Sequence, residues 1–321
     1  MTHDADYDPG SRLWGLFRVA TAGLIWGSIP LVLRAADGSS VIKVFFRVLF
    51  AALVIGVYML ASGGWRELRG LPAAKWRQVV VQGLVLTLNW FLFLTALDMT
   101  QVATAELLGY TGPVFVAALA PFVTGEPFDR RIIAPLALAL GGIVVILTQH
   151  GIHFESRDEL VGAGLAFASA LTYATLLLRS KNILRGISSG ALMLVEYTVA
   201  SIVLAPFVVA AYRAGDSPSS PGAYWALITL GVVHTALSGF VFLGGLRRVR
   251  TDHAAVLMYV EPVSAVVFAA LFLGEGLTVR TVLGGALVVT GGLAVARLER
   301  VPDVTEVEPL EVAGVTGELD S

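Results

Sequence analysis

Ten long apolar runs constrain this chain more than any other feature of its sequence. They cover residues 15–35, 41–61, 78–97, 103–123, 131–149, 160–179, 190–211, 224–246, 254–273 and 279–297. A helix needs about 20 mostly apolar residues to cross a bilayer, whereas the strands of a membrane barrel alternate apolar with polar residues. Because the runs are continuous, the sequence predicts an all-α polytopic membrane protein with ten transmembrane helices.

The composition narrows the function classes further. Of the 321 residues, 56% are apolar and only 14% are charged, a balance unlike that of soluble domains. The net charge of -2 gives no sign of the clustered basic surface that nucleic-acid binding needs, so we expect no nucleic-acid partner. Cysteine is absent, which excludes disulfides and thiolate metal sites. We expect no metal and no cofactor.

Catalytic motifs find little support in the sequence. Residues 186–190 match Gly-x-Ser-x-Gly, but a nucleophile elbow needs a preceding strand, and this stretch is a polar turn between two spans. The sequence contains no phosphate-binding Gly-x-x-x-x-Gly-Lys loop, so direct coupling to ATP is not expected. We therefore predict no catalytic residue and no enzyme activity.

Basic residues are distributed unevenly over the loops. If the N-terminus lies inside, 16 of the 22 Lys and Arg residues fall on the cytoplasmic side and five fall outside, while Arg47 lies within a span. Cytoplasmic loops retain Lys and Arg, so both termini are predicted in the cytoplasm of a protein of the inner or plasma membrane. Residues 1–14 then form a cytoplasmic N-terminal tail and residues 301–321 an acidic cytoplasmic tail.

The chain aligns with itself at an offset of 149 residues. The paired positions include Tyr110 with Tyr259, Pro113 with Pro262, Gly125-Glu126 with Gly274-Glu275, and Arg47 with Glu196. The sequence therefore predicts two five-helix repeats, 15–149 and 160–297, and five is an odd number of crossings. The second repeat must be inverted relative to the first, which places a binding site between the repeats near the middle of the membrane.

Two prolines lie inside apolar runs. Pro113 and Pro262 each remove a helical hydrogen bond, so we expect kinks that widen a cavity at mid-depth. Glu126 follows the predicted end of a helix, where the helix dipole does not favour a carboxylate. Arg131, five residues on, is its expected partner.

These paired motifs resemble those of the EamA-type transporters of the drug/metabolite transporter superfamily. The resemblance rests on Tyr-x-x-Pro followed by Gly-Glu in both repeats, on Trp26-Gly27 and on Phe46-Arg47, and it covers roughly residues 15–300. It implies ten helices, inside termini, and export of amino acids or related metabolites, often in exchange for protons. The first repeat departs from the pattern, because Gly112-Pro113 stands where the second repeat has Glu261-Pro262.

A substrate cavity between the repeats is the next expectation. Its candidate lining residues are Trp26, Arg47, Asn89, Tyr110 and Tyr259. Arg47 most needs a role, because an ionisable group in hydrocarbon costs at least about 2.5 kcal/mol. It can receive a substrate carboxylate or phosphate, pair with Glu106 or Glu196 as a structural lock, or snorkel to the outer surface. Asn89 and Trp26 have packing between helices as their alternative.

Four further groups are candidates for proton coupling, namely Glu106, Glu196, Glu261 and His234. Desolvation favours the protonated form of a carboxylate, and histidine titrates near neutral pH. Each has a structural alternative. Glu106 can be a shallow solvated group, Glu196 a partner of Arg47, Glu261 a ligand for backbone donors at the kink, and His234 a polar contact between helices.

The inverted repeats predict a secondary transporter that works by alternating access. The resemblance implies that it exports small metabolites, in particular amino acids or their derivatives, with proton coupling. Its partners would be a small-molecule substrate, the lipid bilayer and protons. Uptake of a nucleobase, a sugar or a quaternary amine is the alternative among transporters. A membrane-embedded enzyme and a channel are the alternatives from other classes.

Overall fold

The computed structural model describes residues 9–148, 156–274 and 276–298 of the chain. Ten helices in this part are long and apolar enough to cross a membrane, which confirms the predicted all-α fold. They are α1 (Gly10–Leu33), α2 (Ser40–Ala61), α3 (Ala73–Met99), α4 (Val102–Val123), α5 (Arg130–Leu147), α6 (Arg157–Ile183), α7 (Ser189–Arg213), α8 (Pro221–Leu246), α9 (Thr251–Leu273) and α10 (Val279–Leu298).

The predicted tails fall largely outside this part of the chain. The acidic tail over 301–321 and Glu275 lie outside the described residues, and so do residues 1–8 of the predicted N-terminal tail. Helix already begins at Pro9, so the remainder of that tail is helical.

Prolines interrupt helices near mid-depth. α4 is interrupted at Tyr110–Thr111 and α9 at Met258–Tyr259. Pro113 is the second residue of the resumed helix in α4, and Pro262 is the third in α9. The first turn of a helix tolerates proline, because its N–H groups have no partner within the helix. The expected kinks are therefore two-residue turns between two half-helices, in which Thr111, Met258 and Tyr259 keep right-handed helical dihedral angles.

Equivalent helices of the two repeats pack antiparallel, as α5 and α10 show. A Cβ on Gly142 of α5 would overlap the carbonyl oxygen of Gly284 in α10. In the same way, a Cβ on Gly291 would lie 2.7 Å from the carbonyl oxygen of Pro135. Adding 149 to the α5 positions gives the α10 positions, so a pseudo-twofold axis exchanges the two contacts. The repeats are therefore inverted, as the odd number of crossings predicted.

The same axis relates the other helices. α2 packs with α7 and α4 with α9, and the contact of α1 with α8 has that of α3 with α6 as its counterpart. Hydrogen bonds at the ends of the helices follow the same pseudo-twofold symmetry. The N–H of Ser39, before α2, donates to the Asp216 carboxylate at 3.2 Å, and the N–H of Ser188, before α7, donates to Glu67 at 2.6 Å. Ser188 follows Ser39 by 149 residues, and Asp216 follows Glu67 by the same offset.

The bundle has two ends and an apolar side. The end where α1 begins and α10 ends is called the terminal face here, and the other end the opposite face. Large apolar side chains such as Leu53, Phe122 and Trp225 are more than half exposed on the lateral surface. Such a surface suits lipid rather than water, whereas Glu196, His234 and Tyr259 are buried inside the bundle.

Candidate functional site

The middle of α8 forms a π-helical turn over Val232–Leu237. Such a turn takes up one residue more than an α-helical turn, and π-helical turns are frequent at functional sites. The extra residue is visible in the repeat. Gly231 follows Gly83 of α3 by 148 residues, whereas Ser238 follows Asn89 by 149.

The packing supports this alignment of α3 with α8. A Cβ on Gly83 would lie 3.1 Å from the Cα of Glu196 in α7, and a Cβ on Gly231 would lie 2.9 Å from the carbonyl oxygen of Arg47 in α2. Arg47 and Glu196 are equivalent at the offset of 149. The two helices therefore occupy equivalent grooves, and α8 differs from α3 by its wider turn.

Side chains from α1 and α2 are hydrogen-bonded to this π-helical turn. The Nε of Arg47 donates to Thr235 Oγ1 at 2.6 Å, and its Nη2 donates to the His234 carbonyl oxygen at 3.4 Å. The indole N–H of Trp26 donates to the same carbonyl at 2.9 Å and to Ser238 Oγ at 2.7 Å. The turn therefore joins three helices through one carbonyl and two hydroxyl groups.

The positive charge of Arg47 is not neutralised by a bonded carboxylate. Its guanidinium lies over the ring of Trp90, 5.2 Å from the ring centroid, and its hydrogen-bond partners are neutral. No ion pair with Glu106 or Glu196 is formed in the described part of the chain, so the structural lock is absent. The inverted repeat explains the separation from Glu196, because each residue lies about 10 Å along its helix from a different face.

His234 lies within the π-helical turn and is buried. Its Nε2 is 2.9 Å from Ser28 Oγ, where α1 is interrupted, and its Nδ1 is 3.3 Å from the Thr229 carbonyl oxygen. The ring therefore connects the break of α1 with α8, beside the groups that bind Arg47.

The breaks of α4 and α9 meet at two tyrosines. The hydroxyl group of Tyr259 donates to the carbonyl oxygen of Tyr110 at 2.6 Å, and the two ring centroids are 6.2 Å apart. Tyr259 is fully buried, whereas Tyr110 is half-buried. Tyr259 thus satisfies a carbonyl that the interrupted helix leaves without its normal partner.

Two carboxylates lie near these breaks. Glu106 and Glu261 interact electrostatically with each other and with Tyr110, and Glu261 also interacts with Arg47. Neither carboxylate is hydrogen-bonded or ion-paired to another described residue. A Cβ on Gly27 would lie 2.7 Å from the Glu261 carbonyl oxygen, so α1 and α9 touch here. This contact places Glu261 beside the helix that carries Trp26.

Two of the predicted site residues lie apart from this group. The amide nitrogen of Asn89 donates to the Ser169 carbonyl oxygen at 2.7 Å and to Thr172 Oγ1 at 2.9 Å, and so links α3 to α6. Glu196 is only 7% exposed and lies next to Gln82, in the half of the bundle nearer the terminal face. The structure brings the other seven candidates together: Trp26, Arg47, Glu106, Tyr110, His234, Tyr259 and Glu261.

Sequence reasoning missed several members of the group. Thr235, Trp90 and Ser28 were not singled out, although each contacts a predicted residue. The signal that could have found Thr235 is the change of repeat offset from 148 to 149 within α8, because it places an extra residue there. A single offset applied to the whole chain conceals that change.

The terminal face carries a separate set of polar contacts between the repeats. Glu126, after α4, accepts hydrogen bonds from the Thr251 N–H at 2.9 Å and Oγ1 at 3.2 Å, and lies 3.6 Å from Lys181 Nζ. The expected pairing of Glu126 with Arg131 was wrong, because Arg131 instead binds Asp129 at 3.0 Å. Burial opposes the ionisation of Asp129, yet the hydrogen bonds from Arg131 hold its pKa below the usual value.

Within residues 9–148, 156–274 and 276–298, no three His, Asp or Glu side chains are grouped so that they could hold a metal ion. The group around Arg47 consists of one cation, two carboxylates, aromatic rings and hydroxyl groups. Such a combination is suited to binding a small polar molecule.

Comparison with known proteins places both repeats in one family. The EamA-like transporter family matches residues 13–148 and 160–297. An uncharacterized transporter of Archaeoglobus fulgidus is 26% identical over 280 residues, which cover 87% of this chain and 95% of that protein. The uncharacterized transporter YxxF of Bacillus subtilis is 24% identical over 313 residues, which cover 95% of this chain and 97% of that protein. The threonine/homoserine exporter RhtA of Salmonella typhimurium is 27% identical over 224 residues, which cover 68% of this chain and 70% of that protein.

The fold has a counterpart among solved structures. A crystal structure matches 88% of this chain and 98% of its own, with a TM-score of 0.74 and 20% sequence identity. At that identity the likeness concerns the fold. Together with the match over both repeats, the ten spans show a multi-pass membrane transporter. The chain therefore belongs to the EamA-like transporter family, within the drug/metabolite transporter superfamily.

Proposed function

We propose that this transporter exports an amino acid or a closely related metabolite by alternating access, in exchange for protons. The proposal rests mainly on Arg47. This cation lies inside the bundle, and its hydrogen-bond partners are all neutral. Holding an arginine within the span costs at least about 2.5 kcal/mol, so a functional reason for its presence is expected.

Arg47 is the proposed receptor for the carboxylate of the substrate. Thr235 and the His234 carbonyl fix one side of the guanidinium, and Trp90 covers its face. A fixed guanidinium is suited to binding a carboxylate through two parallel hydrogen bonds. Because the binding partners of Arg47 are already in place, little conformational entropy is lost when the substrate arrives.

Glu106 and Glu261 are the proposed partners of the substrate ammonium group. They lie near each other beside the breaks of α4 and α9, and no other described residue is bonded to either carboxylate. An amino acid carries its carboxylate and ammonium groups a few bonds apart. Arg47 at one end and the carboxylates at the other therefore match both charges of a zwitterion.

The same carboxylates support exchange with protons. With both carboxylates ionised, the group would carry one more negative than positive charge, which either a proton or a substrate ammonium can neutralise. The two cations then compete for Glu106 and Glu261. Antiport requires such competition, because the transporter must change its open side with either the proton or the substrate bound, but not with both.

Alternating access follows from the inverted repeats. The two halves can exchange their arrangements, so a pathway open to one face becomes a pathway open to the other. Glu196 lies at the position equivalent to Arg47, nearer the terminal face. We assign it to proton transfer along the pathway on that side, with the terminal face in the cytoplasm, as the distribution of Lys and Arg predicts.

The choice of substrate class also has support from a relative. RhtA, which matches about two thirds of this chain, is a threonine/homoserine exporter. Its identity of 27% leaves the side chain of the substrate open. The zwitterionic backbone is the feature that the group around Arg47 fits, and the test therefore addresses that backbone.

Counterflow in proteoliposomes tests the proposal. A thermal-shift screen of amino acids first identifies a ligand that raises the stability of the folded protein. We expect saturable exchange of that ligand, its loss in Arg47→Ala, and a loss of pH dependence in Glu106→Gln/Glu261→Gln. Arg77→Ala, on an exposed part of α3, is the matched control and should exchange normally. Normal exchange by Arg47→Ala would remove Arg47 from the mechanism.

A further inference from the structure

The second half of α4 begins without the carboxylate that its counterpart in α9 carries. Gly112 stands at the position equivalent to Glu261, at the offset of 149. A Cβ on Gly112 would lie 2.7 Å from Cδ1 of Tyr173 in α6 and 3.4 Å from Cε1 of the same ring. The aromatic ring of Tyr173 therefore occupies the space that a side chain at position 112 would need.

Hydrogen bonds fix the part of α6 that carries this ring. Asn89 of α3 donates to the Ser169 carbonyl oxygen at 2.7 Å and to Thr172 Oγ1 at 2.9 Å. The Thr172 hydroxyl group in turn donates to the Ser169 carbonyl oxygen at 2.8 Å. α3 is thus bonded to α6 directly before Tyr173, and this contact limits the movement of the ring beside the interruption of α4.

The hydroxyl group of Tyr173 lies at the edge of the group around Arg47. It interacts electrostatically with Glu261 and with the side chains of Tyr110 and Tyr259. Tyr173 is half-buried, no described residue is hydrogen-bonded to its hydroxyl group, and the oxygen is not fully enclosed. Polar side-chain atoms inside a bundle normally have a partner. The hydroxyl group therefore faces an accessible space, where a bound substrate can supply that partner.

We propose that the Tyr173 hydroxyl group binds the ammonium group of the substrate together with Glu106 and Glu261, and thereby selects a primary amine. The inference rests on the proposed function, which assigns the ammonium group to these two carboxylates. A primary ammonium group has three N–H donors, and Tyr173 supplies a third acceptor beside the carboxylates. A methyl group on the nitrogen removes one donor, so one acceptor loses its partner.

The missing carboxylate at position 112 fits this role. A glutamate there would add another ionisable group to the interior of the bundle, where each such group costs at least about 2.5 kcal/mol. The glycine instead leaves room for a tyrosine ring from α6, and a hydroxyl group accepts a hydrogen bond without carrying a charge. Gly112 and Asn89 are then both positioning residues, because they act through Tyr173.

Binding to the purified full chain in a neutral detergent tests the role of the hydroxyl group. The probes are threonine and N-methylthreonine, or the amino acid that most raises the thermal midpoint and its N-methyl derivative. We expect the wild type to bind the primary amine about 10-fold more tightly than the methylated one. Tyr173→Phe keeps the ring and should bind the primary amine about 10-fold more weakly, with little change for the methylated one, so that the preference disappears.

Two further variants separate this role from a structural one. Gly112→Ala keeps the hydroxyl group but displaces the ring, so it should also reduce the preference for the primary amine. Tyr58→Phe removes the same group from an exposed residue of α2 and should keep the preference of the wild type. A residue with a purely structural role would change the binding of both probes by the same factor.

Several results would overturn the assignment of Tyr173. They are equal binding of the two probes by the wild type, an undiminished preference in Tyr173→Phe, an equal weakening of both probes in that variant, or a lost preference in Tyr58→Phe. If Gly112→Ala fails to fold, Tyr173→Phe decides alone. A wild type that binds no amino acid at all would instead refute the proposed function, and the assignment of Tyr173 with it.

Discussion

α3 and α8 occupy equivalent places in the two repeats, yet only α8 contains a π-helical turn. Gly83 lets α3 pack against Glu196, and Gly231 lets α8 pack against Arg47. Beyond that glycine, α3 continues as a regular helix, and Asn89 bonds to α6. α8 instead takes up an extra residue and binds Trp26 and Arg47.

The difference between α3 and α8 shows that the two repeats have a common framework but not a common binding group. In a regular helix, the His234 carbonyl would be occupied by the helical ladder, and Thr235 would face another direction. The wider turn makes both available to Arg47. The duplicated framework thus supplies the inverted architecture, and a local deviation from the duplication supplies the binding group.

Removing the extra residue should have the largest effect. Deletion of Val233 should convert the π-helical turn into a regular α-helical turn. The residues before and after the turn then keep their present packing against neighbouring helices. The protein should therefore fold with an unchanged or higher thermal midpoint. Counterflow should fall by about 100-fold or more, because the groups that position Arg47 are displaced.

The matched deletion is Leu84 in α3, which has no extra residue to lose. It rotates the following part of the helix by about 100° and should lower the thermal midpoint strongly. Two results would contradict the proposed difference between α3 and α8. The Val233 deletion would destabilise the protein as much as the Leu84 deletion does, or it would leave counterflow unchanged.

A smaller effect is expected from Thr235→Val. The substitution keeps the shape but removes the oxygen that accepts from Arg47 Nε, so Arg47 loses one charge-assisted hydrogen bond. Counterflow should fall by about 10-fold, measured as the concentration dependence of the initial rate. Thr229→Val, six residues earlier on a half-buried part of α8 where the hydroxyl donates to the Trp225 carbonyl of the same helix, is the control and should leave the rate unchanged. Equal rates in the two variants would show that Thr235 does not position Arg47.

The smallest effect concerns the start of α8, where Asp37 accepts hydrogen bonds from the N–H and hydroxyl groups of Ser219. The Ser219 hydroxyl, with further hydrogen bonds, holds the pKa of Asp37 below its usual value. A lowered pKa means that this stabilisation is present above about pH 4 and is lost as the pH falls through the lower value of the folded state.

Asp37→Asn should therefore lower the thermal midpoint slightly at pH 6, and the difference from the wild type should shrink as the pH falls toward 3. Because Asp37 is only half-buried, solvent keeps the effect small. Thermal shifts measured from pH 3 to 7 provide the check. A difference that persists unchanged at pH 3 would mean that the Asp37 charge is not what stabilises this loop.

Much of the fold could be predicted because it depends on properties that a single sequence displays. Ten apolar runs specify ten spans, and the offset of 149 specifies the inverted repeat. The candidate site was harder to predict, because it depends on the depth of each residue in the bundle and on the direction in which its side chain points. Arg47 and Glu196 look like natural partners in sequence, but equivalent positions in inverted repeats lie at opposite depths. Asn89 looks like a ligand, but its side chain points to α6.

The central claim is that Arg47 holds the carboxylate of the substrate, and a binding cycle tests it most directly. Dissociation constants are measured for threonine and for its amide, or for the acid and amide of whichever amino acid binds, with the wild type and with Arg47→Gln. We expect the wild type to prefer the acid by about 10-fold or more and Arg47→Gln to lose that preference. The same preference in both proteins would contradict the claim.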